Sequence, residues 1–90
     1  MQARRTVRIV NPKGMHARPC HAFVSTALEF EARLRVALGD REVEGKSILS
    51  LMTLEAPAGT ELLLVAEGPD AEALVERLDA LVAGGFGESD

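Results

Sequence analysis

The stretch Gly14-Met15-His16-Ala17-Arg18-Pro19-Cys20 gathers a histidine, an arginine and a cysteine, with Lys13 just before them. Proline suits the first turn of a helix, where its missing N–H would have had no intrahelical acceptor. Pro19 therefore places a helix start close to His16. The free N–H groups of Ala17 and Arg18 would then point out beside the imidazole. Backbone amides at the positive end of a helix, with an arginine able to grip phosphate in bidentate fashion, make an anion site. Gly14 allows the sharp turn into the helix and the close approach of a partner.

A neutral imidazole is a nucleophile toward phosphorus, and the helix end disfavours the imidazolium, which keeps a lone pair available. A phosphoryl group taken up by His16 would be held by the Ala17 and Arg18 amides and by the Arg18 guanidinium. No Asp or Glu precedes Glu29, so no local base is aimed at a water molecule. Such a site suits holding and passing on phosphate rather than hydrolysing it.

Other candidates are weaker. Cys20 falls on an apolar stripe with Phe23, Val24 and Ala27, and reads as a small core residue. His16, Cys20 and His21 lie close enough along a helix to suggest metal ligands, yet no second ligand pair is visible. Ser47 is an N-cap for a short helix, a role that by itself contributes about 1 kcal/mol. A phosphate there would meet the helix-end amides and Lys46. Ile48, Leu49 and Met52 on that helix cannot all face a core. They form an expected apolar docking patch near His16, with His21 beside it and Leu51 turned inward.

The remaining chain must position these groups. Thr6–Val10 alternates as a half-buried strand and the cluster Asn11-Pro12-Lys13-Gly14 ends it. A helix follows from Ala17 to about Glu29, with Phe30 continuing its stripe. Leu34–Leu38 and Arg41–Glu44 read as a hairpin turning at Gly39-Asp40, and Gly45 breaks it. Ile48 to about Thr53 is the short helix, and Glu61–Glu67 is an almost wholly apolar, central strand. Asp70 is the expected N-cap of a last helix whose Leu74, Leu78, Leu81 and Val82 share a face, closed by Gly84-Gly85. The order is β-α-β-β-α-β-α. It predicts an α+β two-layer domain over residues 1–90, with helices on one face of an antiparallel sheet.

Composition narrows the function. Of 90 residues, 47% are hydrophobic and 27% charged, which excludes a disordered chain. The longest apolar run, Leu62–Ala66, is too short to span a membrane, and no charged-then-apolar leader opens the chain, so neither insertion nor export is expected. A single cysteine allows no internal disulfide and fits a reducing compartment, the cytoplasm. Without Trp or Tyr and with only three Phe, little remains for stacking bases, and no nucleic-acid partner is expected. The net charge of −4 hides a split: the first 28 residues hold five bases and no acid. That basic segment attracts anions locally.

Three strings, in order and without a gap over about Thr6 to Glu88, resemble the HPr family. These are the histidine-containing phosphocarriers of the bacterial phosphoenolpyruvate-dependent phosphotransferase system. Gly14-Met15-His16-Ala17-Arg18-Pro19 resembles the family's active-site signature. Gly45-Lys46-Ser47-Ile48-Leu49 resembles its regulatory-serine signature, and Gly85-Phe86-Gly87-Glu88 a frequent C-terminal ending. Two positions depart from the pattern: Cys20 stands where alanine is usual, and His21 where a small or hydroxyl residue is common.

The resemblance implies an open-faced β-sandwich with strand order 1-4-2-3 and three helices. It implies that His16 accepts phosphate through Nδ1 from Enzyme I and passes it to Enzyme IIA proteins in sugar uptake, with Arg18 pairing the phosphate. It further implies that an HPr kinase/phosphorylase modifies Ser47, and that the protein is a monomeric, stoichiometric carrier without a cofactor or metal. Three readings stay open beside it: the related carrier of the nitrogen-related phosphotransferase system, a metal-binding or structural α+β module, and a small acid–base enzyme using His16.

Overall fold

A computed structural model describes residues 1–88. The longest apolar strand lies in the interior of the sheet: Leu62, Leu64 and Ala66 of Glu61–Glu67 are fully buried, while Leu63 and Val65 between them are half-buried. The strands are β1 (Gln2–Arg8), β2 (Arg33–Leu38), β3 (Arg41–Glu44) and β4 (Glu61–Glu67). They form one sheet in the order β1-β4-β2-β3, with every pairing antiparallel. Helices α1 (Ala17–Ala27), α2 (Ile48–Met52) and α3 (Ala71–Ala83) follow the expected β-α-β-β-α-β-α order and cover one face, and a 3-10 turn, Gly85–Gly87, follows α3. The architecture is the α+β open-faced sandwich.

Alternation explains the layering. Ala3 and Val7 of β1, Leu34 and Val36 of β2 and the buried residues of β4 point inward to Phe23, Leu51, Leu74 and Leu78 from the helices. Phe23 has no exposed surface. Truncating such a residue to alanine costs about 3–5 kcal/mol, a large share of a small domain's stability.

Three local expectations need correction. β1 begins at Gln2 and ends at Arg8, instead of running from Thr6 to Val10. Its start is dictated by the partner, since each residue from Gln2 to Arg8 faces one of β4 from Glu67 back to Glu61. The Arg4-Arg5 pair hid the strand in the sequence. On this edge strand Arg5 reaches Asp79 of α3 at 2.8 Å, so a charge occupies an inward-leaning position. The first helix stops at Ala27, two residues before Glu29, where Leu28 closes it with its N–H on Val24 at 2.9 Å.

Asp70 is the third correction. It stands before α3 but makes no side-chain cap. Its carboxylate instead accepts the N–H groups of Glu31 at 2.9 Å and Ala32 at 2.8 Å, tying the α1–β2 connection to the foot of α3. The Glu31 hydrogen bond, helped by that from Ala32 and by the charge of Lys46, holds the Asp70 carboxyl below the usual carboxylate range.

Candidate functional site

The turn Asn11–Gly14 delivers the chain from β1 into α1. Gly14 adopts φ +68°, and a Cβ there would strike the carbonyl oxygen of Ala56 and the backbone of Pro57. The close approach that glycine allows is therefore taken by the chain's own 56–57 segment. Met15 is pinned alongside it, its N–H donating to the Ala56 carbonyl at 2.9 Å. His16 follows as the N-cap of α1 with extended backbone (φ −87°, ψ −170°), and its carbonyl accepts the first helical N–H, that of Cys20, at 3.1 Å. Ala17, Arg18 and Pro19 form the first turn, so proline's missing donor leaves nothing unsatisfied.

The helix start is open. His16 makes no side-chain cap, and no described residue accepts the N–H of Ala17 or Arg18. Both residues are exposed, and the arginine makes no ion pair among the described residues. A cleft of about 670 Å³ runs over this end, lined by Pro12 and Lys13, by His16 to Arg18, and by Phe86 to Glu88. Two cations and the helix amides thus face it, with one carboxylate at its edge.

That carboxylate is the main feature missed in the sequence. Glu88 Oε2 lies 2.9 Å from His16 Nε2 across 72 positions of the chain. A carboxylate oxygen only accepts, so Nε2 carries the hydrogen and donates. The neutral ring then keeps its lone pair on Nδ1, because a hydrogen bond at one nitrogen selects the tautomer. The ring stays partly open, with 38% of its side chain exposed.

Asn11, also overlooked, holds the other carboxylate oxygen: its Nδ2 donates to Glu88 Oε1 at 3.1 Å and to the Gly14 carbonyl at 2.8 Å. The tail reaches this position because Gly85, Phe86 and Gly87 all have positive φ. For Phe86, at +59°, that conformation is strained by about 1–3 kcal/mol, offset by packing of its half-buried ring against the core. A phenylalanine between two glycines was the available signal for a tail that folds back.

The other candidates are dispersed. Cys20 is fully buried, its Sγ 3.6 Å from the Met15 carbonyl, and burial pushes its thiol up. His21, the next residue, is exposed, so the two point apart and share no metal. Among the described residues, no three His, Cys, Asp or Glu side chains converge to hold a metal ion, and no helix is long and apolar enough to cross a membrane.

Ser47 is the N-cap of α2, its Oγ accepting the N–H of Ser50 at 3.2 Å. In the unmodified chain Lys46 Nζ donates to the Phe30 carbonyl at 2.7 Å. On α2, Leu51 is buried while Leu49 and Met52 are exposed by 78% and 38%. Ile48 is half-buried against the core, so the exposed apolar surface is chiefly Leu49 and Met52.

Comparison with known proteins agrees with this arrangement. Residues 3–84 match the family model described as the PTS HPr component phosphorylation site. Phosphocarrier protein HPr of Neisseria meningitidis serogroup A is 37% identical over 87 residues, covering 97% of this chain and 98% of that protein. Phosphocarrier protein NPr of Shewanella violacea is 34% identical, covering 94% of this chain and 93% of its own length. Among solved structures, HPr-C-His from Thermoanaerobacter tengcongensis superposes with a TM-score of 0.93 at 36% identity, covering 98% of this chain and 99% of that one. With the active-site string in the matched region and the sheet order in place, the chain belongs to the HPr family of the phosphotransferase system.

Proposed function

We propose that this protein is a phosphocarrier that takes a phosphoryl group on Nδ1 of His16 from phosphorylated Enzyme I and passes it to Enzyme IIA proteins in sugar uptake. The Nδ1 lone pair attacks phosphorus, and the new N–P bond forms as the bond from phosphorus to the donor's leaving atom breaks. The proton stays on Nε2 throughout, against Glu88. Arg18 and the amides of Ala17 and Arg18 neutralise the oxygens of the transferred group. Delivery to Enzyme IIA reverses these events, so the protein acts stoichiometrically, without cofactor or metal. The observation that carries this reading is the contact of His16 Nε2 with Glu88 at 2.9 Å, made at an uncapped helix start.

Docking is assigned to the exposed Leu49 and Met52, with half-buried Ile48 and exposed His21 as further partner contacts. Ser47 is the proposed target of an HPr kinase/phosphorylase. A monomer confined to the cytoplasm accords with the single buried thiol. The kinship with an NPr supports a second reading, a carrier in nitrogen-related regulation. The string Lys46-Ser47-Ile48 favours the sugar system.

The test is incubation with phosphoenolpyruvate and Enzyme I, followed by mass measurement before and after acid. The expected result is one acid-labile phosphate that disappears in His16→Ala. A label retained in that variant points to His21 and overturns the assignment.

A further inference from the structure

Asn11 has no role in the chemistry proposed so far, yet it is buried to 2% exposure and makes two side-chain hydrogen bonds. Its amide nitrogen has two hydrogens, and both are used: one on the Gly14 carbonyl at 2.8 Å, the other on Glu88 Oε1 at 3.1 Å. Its Oδ1 is buried with no hydrogen-bond partner among the described residues. Turning the amide over would set Oδ1 against two acceptor oxygens, so the two acceptors dictate its orientation. A bare buried carbonyl oxygen is unfavourable, and a buried amide that accepts this loss owes its place to what its nitrogen holds.

What the nitrogen holds is the carboxylate that orients His16. Glu88 Oε1 is on Asn11 and Oε2 on His16 Nε2, so the carboxylate is clamped between the turn and the ring. Glu88 sits on a tail of three residues with positive φ, two of them glycines, whose backbone does little by itself to aim the side chain. Released from Asn11, the carboxylate could rotate away from the ring.

Resting on the reading of His16 as phosphoryl acceptor, we propose that Asn11 is a positioning residue for the transfer. It aims Glu88 at Nε2, which keeps the ring proton there and the lone pair on Nδ1, while the same amide nitrogen fixes the Gly14 turn.

Nitrogen-15 NMR of the histidine rings reads the tautomer directly on the unphosphorylated protein, and so stands apart from whether His16 takes phosphate. The native protein is expected to hold neutral His16 almost wholly with hydrogen on Nε2. In Asn11→Ala the ring should shift toward the mixture seen for free imidazole, and the rate of phosphate acceptance from Enzyme I should fall about 10-fold. Glu88→Ala, which leaves the buried turn intact, should shift the tautomer likewise. In the Glu88→Ala background, adding Asn11→Ala should produce little further loss of rate. An unchanged tautomer in Glu88→Ala, or a full additional loss in the double variant, overturns the proposal, since Asn11 would then act through the turn alone. If Asn11→Ala is poorly folded, Glu88→Ala alone keeps the test open, since its Asn11 is native: an unchanged tautomer there overturns the proposal.

Discussion

Two helix starts in this molecule carry a residue that phosphate chemistry can use, and they are built differently. At α1 the N-cap residue His16 leaves its helix uncapped, its ring is engaged from outside by Glu88, and the cation beside it, Arg18, makes no ion pair among the described residues. At α2 the N-cap residue Ser47 satisfies its own helix through Ser50, and the neighbouring cation Lys46 is spent on the Phe30 carbonyl. Length adds to the contrast, with 11 residues in α1 against five in α2. An open start whose cation makes no ion pair among the described residues can receive an anion without breaking any contact described there. A closed start must first exchange its cap, so the modification proposed for Ser47 would act by adding charge beside the proposed docking surface, with no ready-made phosphate cradle.

Substitutions that convert one start toward the other probe this difference. Arg18→Ala removes the proposed charge-assisted partner of the phosphoryl group, an interaction of about 1.5–3 kcal/mol, so acceptance from Enzyme I should slow by roughly 10- to 100-fold in a single-turnover assay. Parental rates in that variant would show that the amides alone suffice. Ser47→Asp sets a fixed negative charge beside Leu49 and Met52. A charge at the rim of an interface acts mainly on the association rate, so transfer should slow by about 10-fold, chiefly through weaker association. If the variant accepts phosphate as fast as its parent, the electrostatic view of Ser47 fails.

Ser47→Ala should leave the transfer rate intact and lower stability by about 1 kcal/mol, a shift of roughly 4–8 °C in thermal midpoint. The smallest effect lies outside both starts. Asp70 has its carboxyl lowered by the Glu31 and Ala32 amides, so its contribution is present above the ordinary carboxylate range and is lost as pH falls through the lowered value. Asp70→Ala should therefore be less stable than the parent at neutral pH, and the gap should close in acid. A gap independent of pH would mean that the charge is irrelevant.

What was legible in the sequence was local. Pro19 placed the start of α1, and the stripe Cys20, Phe23, Val24 and Ala27 placed its buried face, because both depend on neighbours along the chain. Strand order carries no such signature, and it came from family resemblance alone. The first strand was misplaced because Arg4 and Arg5 break the alternation that its pairing with β4 imposes. Asp70 looked like a cap by position, yet two amides from a distant loop competed for its carboxylate and won. Glu88 lay in plain view within Gly85-Phe86-Gly87-Glu88, but its contact with His16 spans 72 positions, and no spacing rule reaches that far. Asn11 read as an ordinary turn residue, since its burial depends on the tail returning over it.

The most direct measurement of the central claim is long-range proton–nitrogen NMR on the protein labelled with nitrogen-15 in its histidines, after phosphorylation by Enzyme I and phosphoenolpyruvate. Phosphorus coupling on Nδ1 of His16, with hydrogen retained on Nε2, is the expected result. Coupling on Nε2, or on either nitrogen of His21, would contradict it.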